Sequence, residues 1–159
     1  LPEGIIGKVL DERIELMPGG RALLATMKAN GAYCALVSGG FTHFTKAVGN
    51  MIGFDENRAN TLLEADGKLT GEVAEPILGR TAKLAMLEDA IIRFGIDADE
   101  TLAVGDGAND LGMISRAGLG VAFRAKPKVA EAADARIDHT DLTALLFAQG
   151  YRRADFLTS

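Results

Sequence analysis

The sequence predicts a three-layer, doubly wound α/β domain with a parallel sheet and a β-hairpin insertion near residues 60–73. Short apolar runs of strand type alternate with amphipathic segments over most of the 159 residues, and this alternation is typical of βαβ units. The apolar runs at residues 33–37 and 102–104 both end at glycine-containing turns that lead into helical patterns. Because loops at the carboxyl ends of parallel strands form the ligand crevice, these two turns are the candidate functional site.

The composition is that of one ordinary domain and restricts the classes of ligand. Hydrophobic residues make up 48% of the chain, but no apolar run approaches the roughly 20 residues of a membrane-spanning helix. The net charge is −5 without a basic stripe, which argues against nucleic acid as the main partner. One cysteine and two histidines are too few for a Cys/His metal cluster. Any metal therefore needs oxygen ligands, which favours Mg²⁺.

The first half of the chain predicts helices, one strand and a hairpin. Apolar residues at helical spacing predict helices at residues 1–10, 18–30 and 41–52. The apolar run at residues 33–37 predicts a strand, in which Cys34 is expected to be a small buried hydrophobe. Asp66-Gly67 separates two short extended segments, and this dipeptide is a strong signal for a β-hairpin.

The second half predicts a regular alternation of helices and strands. The most periodic helix covers residues 80–94, and its apolar face is expected to be core; this face consists of Leu84, Leu87, Ile91 and Phe94. Strands are predicted at residues 102–104, 119–123 and 135–137, and helices at 110–117, 126–133 and 141–149. Residues 151–159 carry few signals and are expected to fray.

Three polar groups lie where predicted strands end or helices begin, and together they suit a phosphate. They are the turn Ser38, Gly39 and Gly40, the cation Lys83, and the acidic turn with Asp106, Asn109 and Asp110. A Ser-Gly-Gly turn offers a hydroxyl and backbone N–H donors, and a lysine offers a positive charge. A carboxylate about 4 Å away would repel the phosphate by roughly 4 kcal/mol at an effective dielectric near 20. A divalent cation is therefore expected between them.

Each group also has an explanation without a ligand. The two glycines could serve only the turn, and Asn109 or Asp110 could merely cap the following helix. Lys83 could be a solvated helix residue, and Arg80 is a rival cation. The occurrence of all three groups in this order favours the phosphate site.

Five segments resemble motifs of the haloacid dehalogenase (HAD) superfamily. VSGGF at residues 37–41, Lys83 near the start of its helix and VGDGAND at residues 104–110 resemble its motifs two, three and four. ADGKLTGEV at residues 65–73 and AFRAKPKVAEAAD at residues 122–134 resemble its phosphoserine phosphatases in particular. The resemblance covers nearly the whole chain and implies a HAD-like Rossmannoid fold.

The resemblance implies a magnesium-dependent phosphomonoesterase that acts through an aspartyl-phosphate intermediate. It implies that Ser38 and the Gly39 N–H bind the phosphoryl group within the 38–40 turn. Lys83 is implied to balance the phosphoryl charge and to orient the nucleophile.

On the metal side, the resemblance implies that Asp106 ligates Mg²⁺. Asp110 is implied to support Lys83 and a metal-bound water. Asn109 is implied to contact phosphate or substrate.

The chain departs from the family at the first motif. In the family, an Asp-x-Asp motif on the central strand supplies the nucleophile and the general acid/base, whereas Asp97-Ala98-Asp99 precedes its strand here. We therefore expect an N-terminal segment before Leu1, or a complementing chain, to supply the nucleophile, and we expect the 159-residue chain alone to be inactive. The expected divisions are a cap remnant and its return to the core at residues 1–17, a HAD-like core at 18–150 and a tail at 151–159.

The leading hypothesis is a cytoplasmic phosphoserine phosphatase of serine biosynthesis, with a small phosphate ester as partner and neither nucleic acid nor membrane. The alternatives are a HAD phosphatase for another ester, an inactive module that binds Mg²⁺ and phosphate, and an interaction domain; a homodimer stays open. A transport-ATPase domain would carry a proline soon after the acidic turn, where Leu111-Gly112-Met113 stands. An EF-hand loop is disfavoured because Ala108 occupies a ligand position.

Overall fold

A computed structural model describes residues 7–9, 12, 14–79 and 81–157 of the chain. The chain divides into two compact units: the first comprises Leu1–Ile77 and Asp141–Ser159, and the second comprises Leu78–Thr140. Within the helix predicted at residues 1–10, residues 7–9 are described and are helical, whereas Arg80 lies outside the described residues. In the described ranges, no helix has the length and apolar character that crossing a membrane requires.

The elements alternate as the sequence predicts. In chain order they are α1 (Gly20–Ala29), β1 (Ala35–Phe41), α2 (Thr42–Ile52), β2 (Glu56–Asn60), β3 (Leu62–Ala65), β4 (Lys68–Val73), α3 (Ala82–Phe94), β5 (Leu102–Gly105), α4 (Leu111–Arg116), β6 (Leu119–Phe123), α5 (Pro127–Ala132), β7 (Ala135–Ile137) and α6 (Ala144–Ala148). In the first unit, β1 and β2 pair in parallel and β3 and β4 form an antiparallel hairpin. In the second unit, β5, β6 and β7 form a parallel sheet. The predicted α/β class is confirmed.

The hairpin turns where the dipeptide predicts it. Asp66 has φ 52° and Gly67 has φ 69°, and a type I′ turn requires positive φ at both central residues. Glycine adopts this conformation without steric penalty, and aspartate tolerates it better than most residues.

Strand β6 is the best-buried strand of the second unit and anchors its neighbours. Val121 is fully buried, and Ala122 packs in one cluster with Ile114 of α4 and Val129 of α5. Burying an aliphatic side chain of this size contributes about 1.5–3 kcal/mol. Because Gly105 at the end of β5 pairs with Ala122, the turn that follows β5 begins from a well-packed sheet.

The predicted core face of α3 is partly wrong. Met86, which was not assigned to that face, is the buried side chain of the helix, at 3% exposure, whereas Phe94 is 44% exposed. Phe94 is the last residue of the helix, and its ring lies 4.9 Å from the guanidinium carbon of Arg93. The other three predicted positions are half-buried.

The structure differs from the sequence-based expectations at the end of one strand, at a second strand that the sequence does not predict, and in the C-terminal tail. Strand β1 continues to Phe41, past its expected end at residue 37, and strand β2 was not predicted. Its sequence, ENRAN, lacks alternating apolar residues because several of its side chains make hydrogen bonds instead. In the tail, the Leu157 N–H donates to Thr26 Oγ1 at 2.9 Å, so the segment is tethered at that residue.

Candidate functional site

Asp110 is the centre of the polar turn that follows β5. Its side chain is 2% exposed, and Oδ1 accepts a hydrogen bond from Lys83 Nζ at 2.5 Å. Its other oxygen, Oδ2, accepts the backbone N–H groups of Asp106 and Gly107 at 3.0 and 2.9 Å. A buried ion pair is tolerated only when hydrogen bonds satisfy its charges. Three donors meet that requirement here and fix the shape of the turn.

Gly105 is required by the position of the Asp110 side chain. A Cβ atom on Gly105 would lie 2.4 Å from Cβ and Cγ of Asp110 and 2.6 Å from its Oδ2. Carbon atoms in contact are normally about 3.5–4.0 Å apart, so any larger residue would push the carboxylate away. The glycine that ends the strand therefore makes room for Asp110 rather than serving only as a chain turn.

The surroundings of Asp110 lower its pKa. Burial by itself would raise the pKa of this carboxyl, but the Lys83 ammonium and the N–H donors of Gly107 and Asp106 outweigh burial and hold the pKa below its ordinary value. Asp110 is therefore an anion at neutral pH, paired with a lysine of which 15% of the side chain is exposed.

Asp106 and Asn109 lie in the same turn and are exposed. Of the two carboxylates in the turn, that of Asp106 is better placed to ligate a cation, because Asp110 already accepts hydrogen bonds on both oxygens. Among the described residues, no group of three or more His, Cys, Asp or Glu side chains could hold a metal ion. One carboxylate suits Mg²⁺, which usually keeps several waters and uses one or two protein carboxylates together with substrate phosphate.

In the first unit, residues 38–40 form an irregular end to β1. The ladder with β2 is regular up to Val37 and resumes at Phe41, so three residues of β1 lie opposite one residue of β2. The Gly40 N–H donates to Ser38 Oγ at 3.0 Å. Since a hydroxyl has one hydrogen and two lone pairs, this bond leaves the Ser38 hydrogen for another acceptor. Gly39 and Gly40 are exposed.

Sequence reasoning did not find Asn60, the last residue of β2. Its Nδ2 donates to the Gly39 carbonyl oxygen at 3.0 Å across 21 residues of sequence. No periodicity could have revealed this contact, because its partner lies on another strand.

The structure brings Lys83 and Asp110 into contact and places Asp106 and Asn109 in the turn that ends at Asp110. The bulge at residues 38–40 belongs to the first unit. That the two groups form one phosphate site stays a prediction, as do the individual roles.

The sequence matches the family model of haloacid dehalogenase-like hydrolases over residues 3–115. The chain belongs to this family. It is 41% identical over 155 residues to the phosphoserine phosphatase SerB2 of Mycobacterium tuberculosis, and 42% identical over 155 residues to a phosphoserine phosphatase of Streptomyces coelicolor. Each alignment covers 98% of this chain but 38% of the relative. The chain therefore spans less than half the length of these relatives.

Solved structures agree with the sequence comparison. A phospho-aspartyl intermediate analogue of phosphoserine phosphatase matches with a TM-score of 0.85 and 39% identity, over 93% of this chain and 70% of that chain. A substrate-bound phosphoserine phosphatase complex matches with a TM-score of 0.86 and 39% identity, over 93% of this chain and 70% of that chain. The expected resemblance to the HAD-like fold is confirmed.

Proposed function

We propose that the protein containing this chain is a magnesium-dependent phosphomonoesterase that hydrolyses O-phosphoserine to serine and phosphate. The observation that carries the proposal is the buried pair of Lys83 and Asp110 next to the exposed carboxylate of Asp106 in the turn after β5. Identities of 41% and 42% with proteins named phosphoserine phosphatase support the choice of substrate. Such an activity belongs to serine biosynthesis, for which the cytoplasm is the proposed location.

The charges of the acidic turn favour a cation whenever a phosphate binds. Two unit negative charges about 4 Å apart repel by roughly 4 kcal/mol at an effective dielectric near 20. A nearby helix N-terminus compensates only about 0.3–1 kcal/mol. In this proposal the exposed Asp106 carboxylate ligates Mg²⁺, which when bound polarises the phosphoryl oxygens as a Lewis acid.

Lys83 supplies a fixed positive charge for the phosphoryl group. An ammonium has three donors, and one of them is engaged by Asp110 Oδ1. The other two remain for a phosphoryl oxygen and for the nucleophile. Because Asp110 holds the ammonium in one place, little side-chain freedom is lost when the substrate binds.

The bulge at residues 38–40 of β1 supplies donors for the phosphoryl oxygens in the same proposal. The Ser38 hydroxyl donates its hydrogen, since its oxygen already accepts the Gly40 N–H. The Gly39 N–H is the second donor, and the exposed Asn109 amide contacts phosphate or substrate.

The covalent step needs a carboxylate that these motifs do not contain. An aspartate attacks phosphorus, the bond from phosphorus to the serine oxygen breaks, and a carboxylic acid protonates the leaving oxygen. Water then hydrolyses the aspartyl phosphate. We assign both groups to the Asp-x-Asp motif that the family resemblance implies, and residues 1–159 by themselves are expected to give no turnover.

The test of the substrate is an assay of the full-length protein against O-phosphoserine and a panel of small phosphate esters. Release of phosphate is measured with Mg²⁺ and with excess chelator. Phosphoserine is expected to give the highest kcat/KM, and activity is expected to disappear with the chelator. Higher turnover of another ester would replace the substrate, and full activity in chelator would overturn the metal requirement.

The role of Asp106 is tested by Asp106→Asn, which keeps the shape but removes the charge. The Mg²⁺ concentration for half-maximal activity is expected to rise at least about tenfold, because even the loss of a metal ligand's hydrogen-bonding partner typically weakens metal binding 10–100-fold. Asp99→Asn is the matched control, since Asp99 is also an exposed aspartate of the second unit. Equal Mg²⁺ dependence in both variants would refute the assignment.

A further inference from the structure

The peptide group between Gly39 and Gly40 is held at both ends. Its carbonyl oxygen accepts Asn60 Nδ2 at 3.0 Å, and its N–H donates to Ser38 Oγ at 3.0 Å. Because a peptide group is planar and rigid, it connects the Asn60 side chain of β2 to the Ser38 hydroxyl. The orientation of this plane decides which direction the Ser38 hydroxyl hydrogen can take.

We propose that Asn60 is a positioning residue for phosphate binding, acting through the Gly39–Gly40 peptide on the Ser38 hydroxyl; this inference rests on the proposed function. When Asn60 holds the carbonyl, the Gly40 N–H remains aimed at Ser38 Oγ. The oxygen then accepts, and its own hydrogen points away from Gly40, towards a phosphoryl oxygen. Hydrogen bonds in series also polarise one another, which strengthens the serine as a donor.

The bulge needs such a support because its backbone is weakly restrained. Residues 38–40 interrupt the regular ladder with β2, and two of the three are glycines, the residue with the largest conformational freedom. A Cβ on Gly39 would meet no described atom within 4 Å, so no neighbour packs against that side of Gly39. The Asn60 amide gives this irregular stretch a side-chain hydrogen bond from the neighbouring strand.

Asn60 is well suited to fix the peptide. It is 8% exposed, and it pairs with Phe41, the residue at which the ladder resumes. Its side chain therefore starts from a backbone position that is itself fixed. Loss of the donor would leave the Gly39 carbonyl without this partner and free the peptide to rotate.

Asn57 of the same strand offers a matched control. Its Oδ1 accepts Thr45 Oγ1 of α2 at 3.1 Å, and Thr45 is 6% exposed. Asn57→Ala therefore removes a hydrogen bond of a half-buried asparagine in the same unit, and it leaves the hydrogen bonds of the bulge unchanged.

The experiment compares Asn60→Ala, Asn60→Asp and Asn57→Ala in the full-length protein. For both Asn60 variants, KM for O-phosphoserine and the inhibition constant of inorganic phosphate are expected to rise about tenfold. This is the change in affinity that corresponds to the loss of one hydrogen bond. The value of kcat is expected to change little. Asn57→Ala is expected to lower the melting temperature with KM and the inhibition constant unchanged. Asn60→Asp keeps the size of the side chain, so it provides the test if Asn60→Ala does not fold.

A second measurement separates positioning from general stabilisation. In a Ser38→Ala background, Asn60→Ala is expected to have no further effect on the inhibition constant of phosphate, because the Ser38 hydroxyl through which Asn60 acts is already absent. Equal KM values in the Asn60 and Asn57 variants, or additive effects with Ser38→Ala, would overturn the inference. Absence of phosphoserine turnover in the wild-type protein would instead overturn the proposed function.

Discussion

The two glycine-containing turns of this chain look alike in sequence but are built on opposite principles. In the bulge at residues 38–40 of β1, a Cβ on Gly39 would meet no described atom within 4 Å, whereas at the last residue of β5 a Cβ on Gly105 would overlap Asp110 at 2.4 Å. Neither glycine has a positive φ, so backbone conformation explains neither. Gly105 is needed by the fold itself, and Gly39 is not.

The turn in the second unit holds a buried, paired carboxylate, whereas the turn in the first unit leaves its backbone N–H groups accessible. In the second unit, the glycine allows a buried carboxylate to lie against the strand end and to hold Lys83. In the first unit, the exposed glycines suit a close approach of a ligand to backbone N–H groups. The same residue type therefore serves packing in one turn and access in the other.

The largest expected effect on stability comes from removing the buried Asp110 carboxylate. Asp110→Ala is expected to lower the free energy of unfolding by about 3–5 kcal/mol, since it leaves Lys83 as a largely buried, unpaired cation. Urea titration of the full-length protein measures this change. Lys83→Met serves as the comparison and should destabilise less, because Asp110 keeps two backbone donors. A stability of Asp110→Ala within about 0.5 kcal/mol of wild type, the range typical of surface substitutions, would contradict this view.

Gly105→Ala is the next largest expected effect. Its methyl group must displace Asp110, and overpacking of this kind typically costs about 1–3 kcal/mol. The same substitution should also raise the pKa of Asp110 towards its ordinary value, because it disturbs the hydrogen bonds that lower it. Urea titration measures the first change, and the pH dependence of stability measures the second. An unchanged stability would show that the turn relaxes easily.

The pH dependence of the Asp110 contribution gives a smaller effect with a defined sign. A carboxyl whose folded pKa lies below the unfolded value of about 3.9 stabilises the protein above that pH, and its contribution is lost as the pH falls through the folded pKa. The difference in stability between wild type and Asp110→Asn is therefore expected to shrink as the pH falls from about 6 to about 3. Because other groups are common to both proteins, they cancel in the difference. A constant difference would show that the folded pKa of Asp110 is not lowered.

The smallest expected effect on stability is that of Gly39→Ala. With no described atom near the new methyl group and no positive φ, stability is expected to stay equal or to rise by about 0.4–1 kcal/mol. Its inhibition constant for inorganic phosphate should rise, because the methyl group hinders approach to the Gly39 N–H. Destabilisation similar to that of Gly105→Ala would remove the contrast between the two turns.

Much of the fold was predictable because its signals are local. Strands β6 and β7 have the predicted bounds, and the hairpin turns at the predicted Asp66-Gly67. Strand β2 could not be predicted, since its polar side chains are used in hydrogen bonds to residues 12 and 21 positions away. The exposure of Phe94 depended on which part of α3 finds a packing partner, and helical periodicity does not contain this information.

The sequence by itself determined the order of strands and helices, the hairpin turn and the membership in the HAD-like family, because periodicity, turn residues and motifs are properties of short segments. It also placed Lys83 and Asp110 among the candidate site residues. Only the tertiary structure decided that these two side chains pair in a buried contact, that Gly105 makes room for Asp110 and that Asn60 holds the Gly39 carbonyl. Each of these contacts joins atoms whose distance depends on packing and hydrogen bonding in the folded chain.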